Sequence, residues 1–265
     1  LPLPDVLRYQ GKRVIVTGCA SGMGRATAAL LLDLGARVQG LDCRRTDLKL
    51  DSFTLLDLRE PASIERAVQC IGGGIDALFN CAGVGPTFST LDKMKVNFIG
   101  TRYLTELVLP LMGAGSAIAS IASTAAMGWS RRIAVHKQLL AAAGYTEAVR
   151  WSEDHQDAVG EGYGFSKEAI VVWTLTESQT LIKRGIRINC VLPGLTQTPM
   201  LTEQIAVNTS SEVLQAVIQP IGRPATPEEQ ALPLLMLNSA AAGYLNGAAL
   251  NVDGGRLARV AMREG

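Results

Sequence analysis

Short β-branched runs alternate with longer stretches rich in Ala and Leu along this chain, and glycine or proline marks most of the joins. Lys12–Thr17 is apolar, β-branched and followed by a glycine turn, so it reads as a buried strand. Gly22–Leu34 has helical composition and stops at Gly35. A second strand fits Ala36–Leu41 and a third Phe53–Leu56. Pro61–Ile71 is a helix with proline in its first turn, and Ile75–Phe79 is a fourth strand. Leu91–Met112 reads as one helix, Ala117–Ile121 as the fifth strand and Tyr163–Arg184 as a further helix. Ile186–Val191 and Ala249–Val252 complete the strands. This alternation predicts an α/β fold with a doubly wound parallel sheet between two helical layers. Ligands of such sheets bind at the carboxyl ends of the strands. No repeat, linker or low-complexity segment interrupts the order, which predicts a single domain over residues 1–265.

Two segments exceed a minimal alternation. Residues 124–162 separate the fifth strand from the next helix, and they hold a helix-like run at Val135–Trp151 and both histidines. Leu195–Pro220 separates the sixth strand from the following helix and reads as a mobile lid. Connections of this length in a compact domain are usually functional or disordered.

Composition removes several classes of function. Of 265 residues, 48% are hydrophobic and 18% charged, enough to bury a large core. The net charge of +1 carries no basic block and gives no case for nucleic acid. No apolar stretch reaches the roughly 18 residues of a membrane span, and Leu1–Arg13 lacks the apolar centre of a signal peptide. Five cysteines without a Cys-x-x-Cys pair, and only two histidines, point to reduced thiols in a cytoplasmic protein and to no metal site.

The candidate chemistry begins at Thr17-Gly18-Cys19-Ala20-Ser21-Gly22-Met23-Gly24, between the first strand and the first helix. Glycines there permit a tight turn and let backbone approach a pyrophosphate, which the helix N-terminus favours. The spacing is G-x-x-x-G-x-G rather than G-x-G-x-x-G, and a structural loop is the plain alternative. Asp42 ends the second strand 18 residues past Gly24. A carboxylate there accepts from adenosine ribose hydroxyls and repels a 2′-phosphate, which favours NAD over NADP. Arg44 and Arg45 keep a phosphate possible. Asp57-Leu58 follows the third strand, where a carboxylate could accept from an adenine amino group, and Asn80-Cys81-Ala82-Gly83 follows the fourth. Their small residues let backbone pass close to a cofactor. Tyr163-Gly-Phe-Ser-Lys167 then places a phenol and an ammonium on one helical face. An ammonium beside a phenol lowers its pKa, so the tyrosine could exchange a proton with an alcohol or ketone.

Taken together, these residues resemble the short-chain dehydrogenase/reductase family in its compact form, over nearly the whole chain. The match runs through Thr-Gly-x-x-x-Gly-x-Gly at Thr17, Asp42, Asp57-Leu58, Asn-x-Ala-Gly at Asn80, Val96-Asn97, Ser123, Tyr163-x-x-x-Lys167, Pro193-Gly194 and Asn251-Val-Asp-Gly-Gly255. The resemblance implies Tyr163 as general acid/base. Lys167 would lower its pKa and bind the nicotinamide ribose. Ser123 would orient the substrate oxygen, and Asn97 would hold a relay water. Ser120 and Thr124 neighbour Ser123, but the family pattern selects Ser123. It also implies a cofactor surface of Gly18, Ala20, Ser21, Gly22, Met23, Gly24, Asp42, Cys43, Asp57, Leu58, Asn80, Ala82, Gly83, Pro193, Gly194, Thr196 and Thr198 together with the Tyr-Lys pair. The 40 positions between Ser123 and Tyr163, against about a dozen in the family, resemble the 3α-hydroxysteroid dehydrogenase/carbonyl reductase and coniferyl-alcohol dehydrogenase subgroup.

The expected reaction is hydride transfer between NAD and a small hydrophobic alcohol or ketone, steroid-like or aromatic/allylic. Met127, Trp129, Leu195, Met200 and Leu201 would give an apolar pocket, or else pack the core and lid. An NAD-binding epimerase or dehydratase, a non-catalytic nucleotide sensor and a structural subunit are the competing classes. The insert of residues 124–162 either caps the pocket or forms an interface in a homodimer or homotetramer. His136 and His155 are expected to be solvated.

Overall fold

The computed structural model describes residues 7–85, 87–208 and 220–262. Residues 209–219, the second half of the expected lid, lie outside the described residues.

The first strand, β1 (Arg13–Thr17), is buried along Val14-Ile15-Val16 and becomes an interior strand of a seven-stranded sheet. It is followed by α1 (Gly22–Asp33), β2 (Arg37–Asp42), β3 (Ser52–Leu55), α2 (Pro61–Gln69) and β4 (Ile75–Asn80). The strands order as β3-β2-β1-β4, so the winding direction reverses between β1 and β4, where Thr17 pairs with Asn80. Thr17 Oγ1 accepts the N–H groups of Cys81 at 3.0 Å and Ala82 at 3.1 Å. The loops leaving β1 and β4 diverge from that point and open a crevice.

The region expected as one helix over Leu91–Met112 is divided. It contains α3 (Thr90–Met94), a π turn at Lys95–Ile99, α4 (Gly100–Val108) and a 3₁₀ turn at Leu109–Leu111. Pro110 lies in that last turn, where it supplies no backbone donor to continue the helix. The next strand, β5 (Met112–Ile121), starts earlier than Ala117 because Met112 pairs with Ile75 across a register shift. Gly113 and Gly115 mask its strand character in the sequence. The expected helix at Val135–Trp151 is likewise two helices, α5 (Ile133–Ala141) and α6 (Gly144–Asp154), broken where Gly144 takes φ +66°. A short α7 (Gln156–Val159) leads into α8 (Tyr163–Leu181).

The chain closes with β6 (Arg187–Pro193), α9 (Pro199–Asn208), α10 (Pro227–Asn238), β7 (Ala249–Val252) and α11 (Arg256–Ala261). All paired strands are parallel, in the order β3-β2-β1-β4-β5-β6-β7. One face packs Leu31 of α1 and Leu234 and Leu235 of α10 against Val14, Val16 and Phe79. The other packs Ile64, Leu104, Phe165 and Ile170 against Ile15, Leu78 and Ile118. Leu139, Tyr145, Ala148 and Val159 of the insert join this second core, so the insert is part of the helical layer. Among the described residues no helix is long and apolar enough to cross a membrane.

Gly100 begins α4 directly beneath the loop after β3, and a Cβ there would lie 2.2 Å from the Leu58 carbonyl oxygen. Backbone cannot withdraw as a side chain can. Gly100→Ala is therefore expected to destabilise by about 2 kcal/mol and to lower Tm by roughly 4–8 °C, as read by calorimetry.

Candidate active site

The carboxyl end of β1 turns sharply because Gly18 takes φ +70° and Gly22 φ +53°. A Cβ on Gly18 would lie 2.7 Å from Ala82 Cα, and one on Gly24 would lie 2.1 Å from Gly18 O. Glycine is therefore required by contact as well as by conformation. Ser21 precedes α1 without capping it, and the first turn of α1 holds no acidic residue. Its N-terminal N–H groups and dipole suit an anion. Arg44 donates to Ser21 Oγ at 2.9 Å, adding a guanidinium at the same edge.

Asp42 is 8% exposed at the end of β2 and accepts from Ala20 N–H and Arg44 N–H, each at 2.9 Å. These bonds fix the carboxylate beside the glycine turn and leave it further lone pairs. Cys43, next to it, is exposed. Asp57 is engaged by Arg59 at 2.7 Å, which is the main cause that holds its carboxyl below the usual range. Leu58 is buried, and its carbonyl accepts from Tyr145 of the insert at 3.1 Å. Tyr145 also donates to the Arg59 carbonyl. The insert thus braces the loop on which Asp57 and Leu58 lie.

Asn80 ends β4. Its amide is buried against Thr105 at 3.1 Å and Ser120 at 3.2 Å, so its side chain joins β4 to α4 and β5 instead of facing the crevice. Ala82 and Gly83 follow along the crevice edge, where a Cβ on Gly83 would meet Asn97 Oδ1 at 3.2 Å and Lys167 Nζ at 3.5 Å. Opposite, Pro193 ends β6 and Gly194 N–H donates to Val252 O at 3.0 Å. Thr196 is buried and bonds Gly194 O at 3.1 Å. The Thr198 methyl lies 3.2 Å from where a Cβ on Gly22 would be, so the segment after β6 reaches the glycine turn beside Met23. A cofactor with an anionic linker and a diol fits these features: a glycine cradle, a free helix N-terminus, and a fixed carboxylate at the next strand end.

Ser123, Tyr163, Lys167 and Asn97 come together at the ends of β5 and α8. Ser123 Oγ accepts from Ala125 N–H at 3.1 Å, which caps the 3₁₀ turn at Thr124–Ala126. Its hydroxyl is placed to favour ionisation of the Tyr163 phenol. Lys167 is 4% exposed, and its Nζ donates to the Ile121 carbonyl at 2.9 Å. Asn97 sits in the π turn, where Oδ1 accepts from Val84 N–H at 2.8 Å. Its Nδ2 donates to Val84 O and Ser166 Oγ, both at 3.2 Å. Its side-chain amide is therefore engaged in holding the β4 loop to α8.

Lys167 Nζ lies 5.9 Å from the Tyr163 ring centroid and is bonded elsewhere. Burial pushes the Tyr163 phenol up, the Ser123 hydrogen bond opposes it, and the Glu161 carboxylate adds to the rise. Burial also lowers Lys167 to about 8.

The histidine expectation is also corrected. His136 is 0% exposed, with Nε2 2.8 Å from Glu168 Oε2, and it stacks on Phe165 with centroids 4.3 Å apart. His155 is half-buried, with Nδ1 2.8 Å from the Trp151 carbonyl oxygen. Among the apolar candidates, Trp129 packs on the core, Met127 is exposed, and Met200 covers Gly85, where a Cβ would lie 2.8 Å from its Cγ. Leu201 belongs to α9, its N–H bonded to Thr198, while Leu195 accepts from Ala225 N–H at 2.9 Å. Exposed Phe88, beside this loop, escaped the sequence reading because nothing in its spacing marks it.

Residues 12–135 match the family model described as short chain dehydrogenase, and residues 140–256 match one described as enoyl-(acyl carrier protein) reductase. A coniferyl-alcohol dehydrogenase of Pseudomonas sp. is 34% identical, over 94% of this chain and 98% of its own length. This chain belongs to the short-chain dehydrogenase/reductase family. A 3-alpha-hydroxysteroid dehydrogenase/carbonyl reductase of Comamonas testosteroni is 31% identical, over 91% of this chain and 95% of its own. A solved 3-alpha-hydroxysteroid dehydrogenase from Pseudomonas sp., in complex with NADH, superposes with a TM-score of 0.80 at 29% identity, covering 94% and 99% of the two chains. The expected enzyme class, a nicotinamide-dependent oxidoreductase acting on CH–OH groups, stands with that membership.

Lys167 gives this site a measurable pH signature. Its folded pKa of about 8 lies below the ordinary 10.5, so between those values the folded chain has released a proton that the unfolded chain still holds. Stability attributable to this group therefore rises with pH across that window. The rise is on the order of 3 kcal/mol for a buried amine. Denaturant unfolding at stepped pH should show it in the parent and lose it in Lys167→Met.

Proposed function

We propose that this chain is an NAD-dependent alcohol dehydrogenase and ketone reductase for small hydrophobic alcohols, with Tyr163 as the general acid/base. The observation that carries this reading is the gathering of Ser123, Tyr163 and the buried amine of Lys167 where β5 ends and α8 begins. The dinucleotide supplies the hydride acceptor when it is bound. Residues 18–24 at the α1 N-terminus would hold its pyrophosphate, Asp42 the adenosine ribose, and Lys167 the nicotinamide ribose. Asp57 and Leu58 would border the adenine.

In the oxidising direction Tyr163, as phenolate, takes the hydroxyl proton while the carbinol hydrogen leaves as hydride. In the reducing direction the neutral phenol returns the proton to the forming alkoxide. Ser123 and Tyr163 bracket the oxygen on which charge develops. Met127, Phe88 and Met200 supply apolar surface near the same edge of the sheet. This surface, and the coniferyl-alcohol and hydroxysteroid relatives, support aromatic/allylic or steroid-like alcohols as substrates. The position of Asp42 supports NAD over NADP, and Arg44 on Ser21 is the feature that opposes it. A cytoplasmic homo-oligomer completes the proposal.

A screen of cinnamyl-type alcohols, 3α-hydroxysteroids and secondary cyclic alcohols, with NAD and NADP in parallel, tests this reading. Tyr163→Phe should lower turnover at least 10³-fold, on the scale of lost proton transfer, and leave NAD binding within about twofold. Full turnover in that variant would remove Tyr163 from the chemistry. Asp42→Asn should narrow the preference for NAD. Net NADH formation separates a dehydrogenase from an epimerase or a nucleotide sensor.

A further inference from the structure

Tyr163 is the first residue of α8, so its phenol is placed by a helix end and not by a helix interior. The residue in the capping position is Gly162, which has no side chain and takes φ +89°. Glu161 caps the helix in its place. Its Oε1 accepts the Gly164 N–H at 2.9 Å, and the carboxylate faces the positive end of the helix dipole. Its second oxygen, Oε2, accepts from Lys93 Nζ at 3.0 Å. Lys93 belongs to α3 and is only 4% exposed, so its ammonium is drawn out of water beside this carboxylate.

α3 runs directly into the π turn that carries Asn97. One stretch of chain therefore holds the first turn of α8 at two points. Lys93 holds Glu161, and Asn97 Nδ2 donates to Ser166 Oγ at 3.2 Å, while that hydroxyl donates to the Tyr163 carbonyl at 2.8 Å. Gly162 passes so close to α3 that a Cβ on it would lie 2.8 Å from the Thr90 carbonyl oxygen. Beside this junction lies a cavity of about 360 Å³, lined among others by Ser89, Thr90, Gln156, Val159 and Gly160. The residues leading into Tyr163 are thus tied to α3 by polar contacts, with open space next to them.

We propose that Lys93 and Glu161 are positioning residues that set where the Tyr163 phenol stands relative to the substrate oxygen. The inference rests on the reading of Tyr163 as the acid/base. A shifted end of α8 moves the phenol relative to an alcohol held at the strand ends, and misplacement by about 1 Å costs up to about 10²-fold in rate. The Glu161 side chain is 63% exposed, so the bridge adds little to global stability and its effect falls on geometry.

Lys93→Met, Glu161→Gln and the double variant test this as a cycle. The readouts are kcat and KM for cinnamyl alcohol with NAD, the NAD dissociation constant, Tm, and amide exchange at Gly164, which needs no substrate. Lys93→Met keeps the length of the side chain and removes its charge. It should lower kcat about tenfold and leave KM and NAD binding within about twofold. Exchange at Gly164 should quicken about tenfold, and Tm should fall by less than about 4 °C. Glu161→Gln offers one acceptor oxygen to two donors and should lower kcat to a similar extent. In that background Lys93→Met should add less than about twofold.

An unchanged kcat in Lys93→Met would overturn the proposal. So would a loss shared by NAD binding and Tm, which marks general loosening of the fold, or full additivity of the two substitutions. Turnover surviving in Tyr163→Phe, or absent from the parent, would instead defeat the functional reading and this role with it. Exchange at Gly164 would then still report whether Lys93 holds the end of α8.

Discussion

A lysine ammonium has three protons to place and no water to receive them inside a sheet. Lys167 places one of them on the carbonyl of Ile121, the last residue of β5. That bond fixes the rotation of α8 against the sheet, and the rest of the site follows from it. Tyr163 lies one turn earlier on the same face, and Ser123 lies two residues beyond Ile121 on the chain leaving β5. Gly83 has to stay bare because Asn97 and Lys167 fill the space beside it. The energetic counterpart is a depressed lysine pKa and a raised tyrosine pKa, both caused first by burial. At the phenol, burial raises the pKa, the Ser123 hydroxyl opposes that rise and the Glu161 carboxylate adds to it.

The crevice depends on a second constraint of the same kind. The sheet reverses its winding between β1 and β4, and backbone groups at the two strand ends need partners. Thr17 supplies one to Cys81 and Ala82, so the β4 loop is held against the glycine turn. Close approach then excludes a Cβ from Gly18 and Gly24. Asp42 completes the rim because its carboxylate caps Ala20 N–H as well as its own loop.

The insert illustrates how a long excursion stays compatible with a precise site. Lengthening a closed loop from about a dozen residues to about 40 costs only ~1 kcal/mol in closure entropy. The burial of Leu139, Tyr145, Ala148 and Val159 readily offsets that. Its polar anchors are more specific. Tyr145 holds the loop after β3, and Arg132 and His136 hold Glu168 on α8. The insert therefore touches both the loop after β3 and α8.

Much of this was legible in the sequence, for physical reasons. β-branched runs and glycine stops determined all seven strands, because backbone sterics and burial act locally. The glycine turn at residues 18–24, the strand end at Asp42 and the shared helical face of Tyr163 and Lys167 were legible because each depends on spacing along one strand or helix, whereas Ser123 was picked out by the resemblance to the family pattern. Division of the region after Thr90 was not, since the π turn and the early start of β5 arise from packing and from pairing with Ile75. Nor could spacing show that Asn80 faces α4 or that His136 is buried. Those outcomes depend on which groups distant segments bring within hydrogen-bonding reach, and on how much water they exclude. Only the tertiary structure decides both.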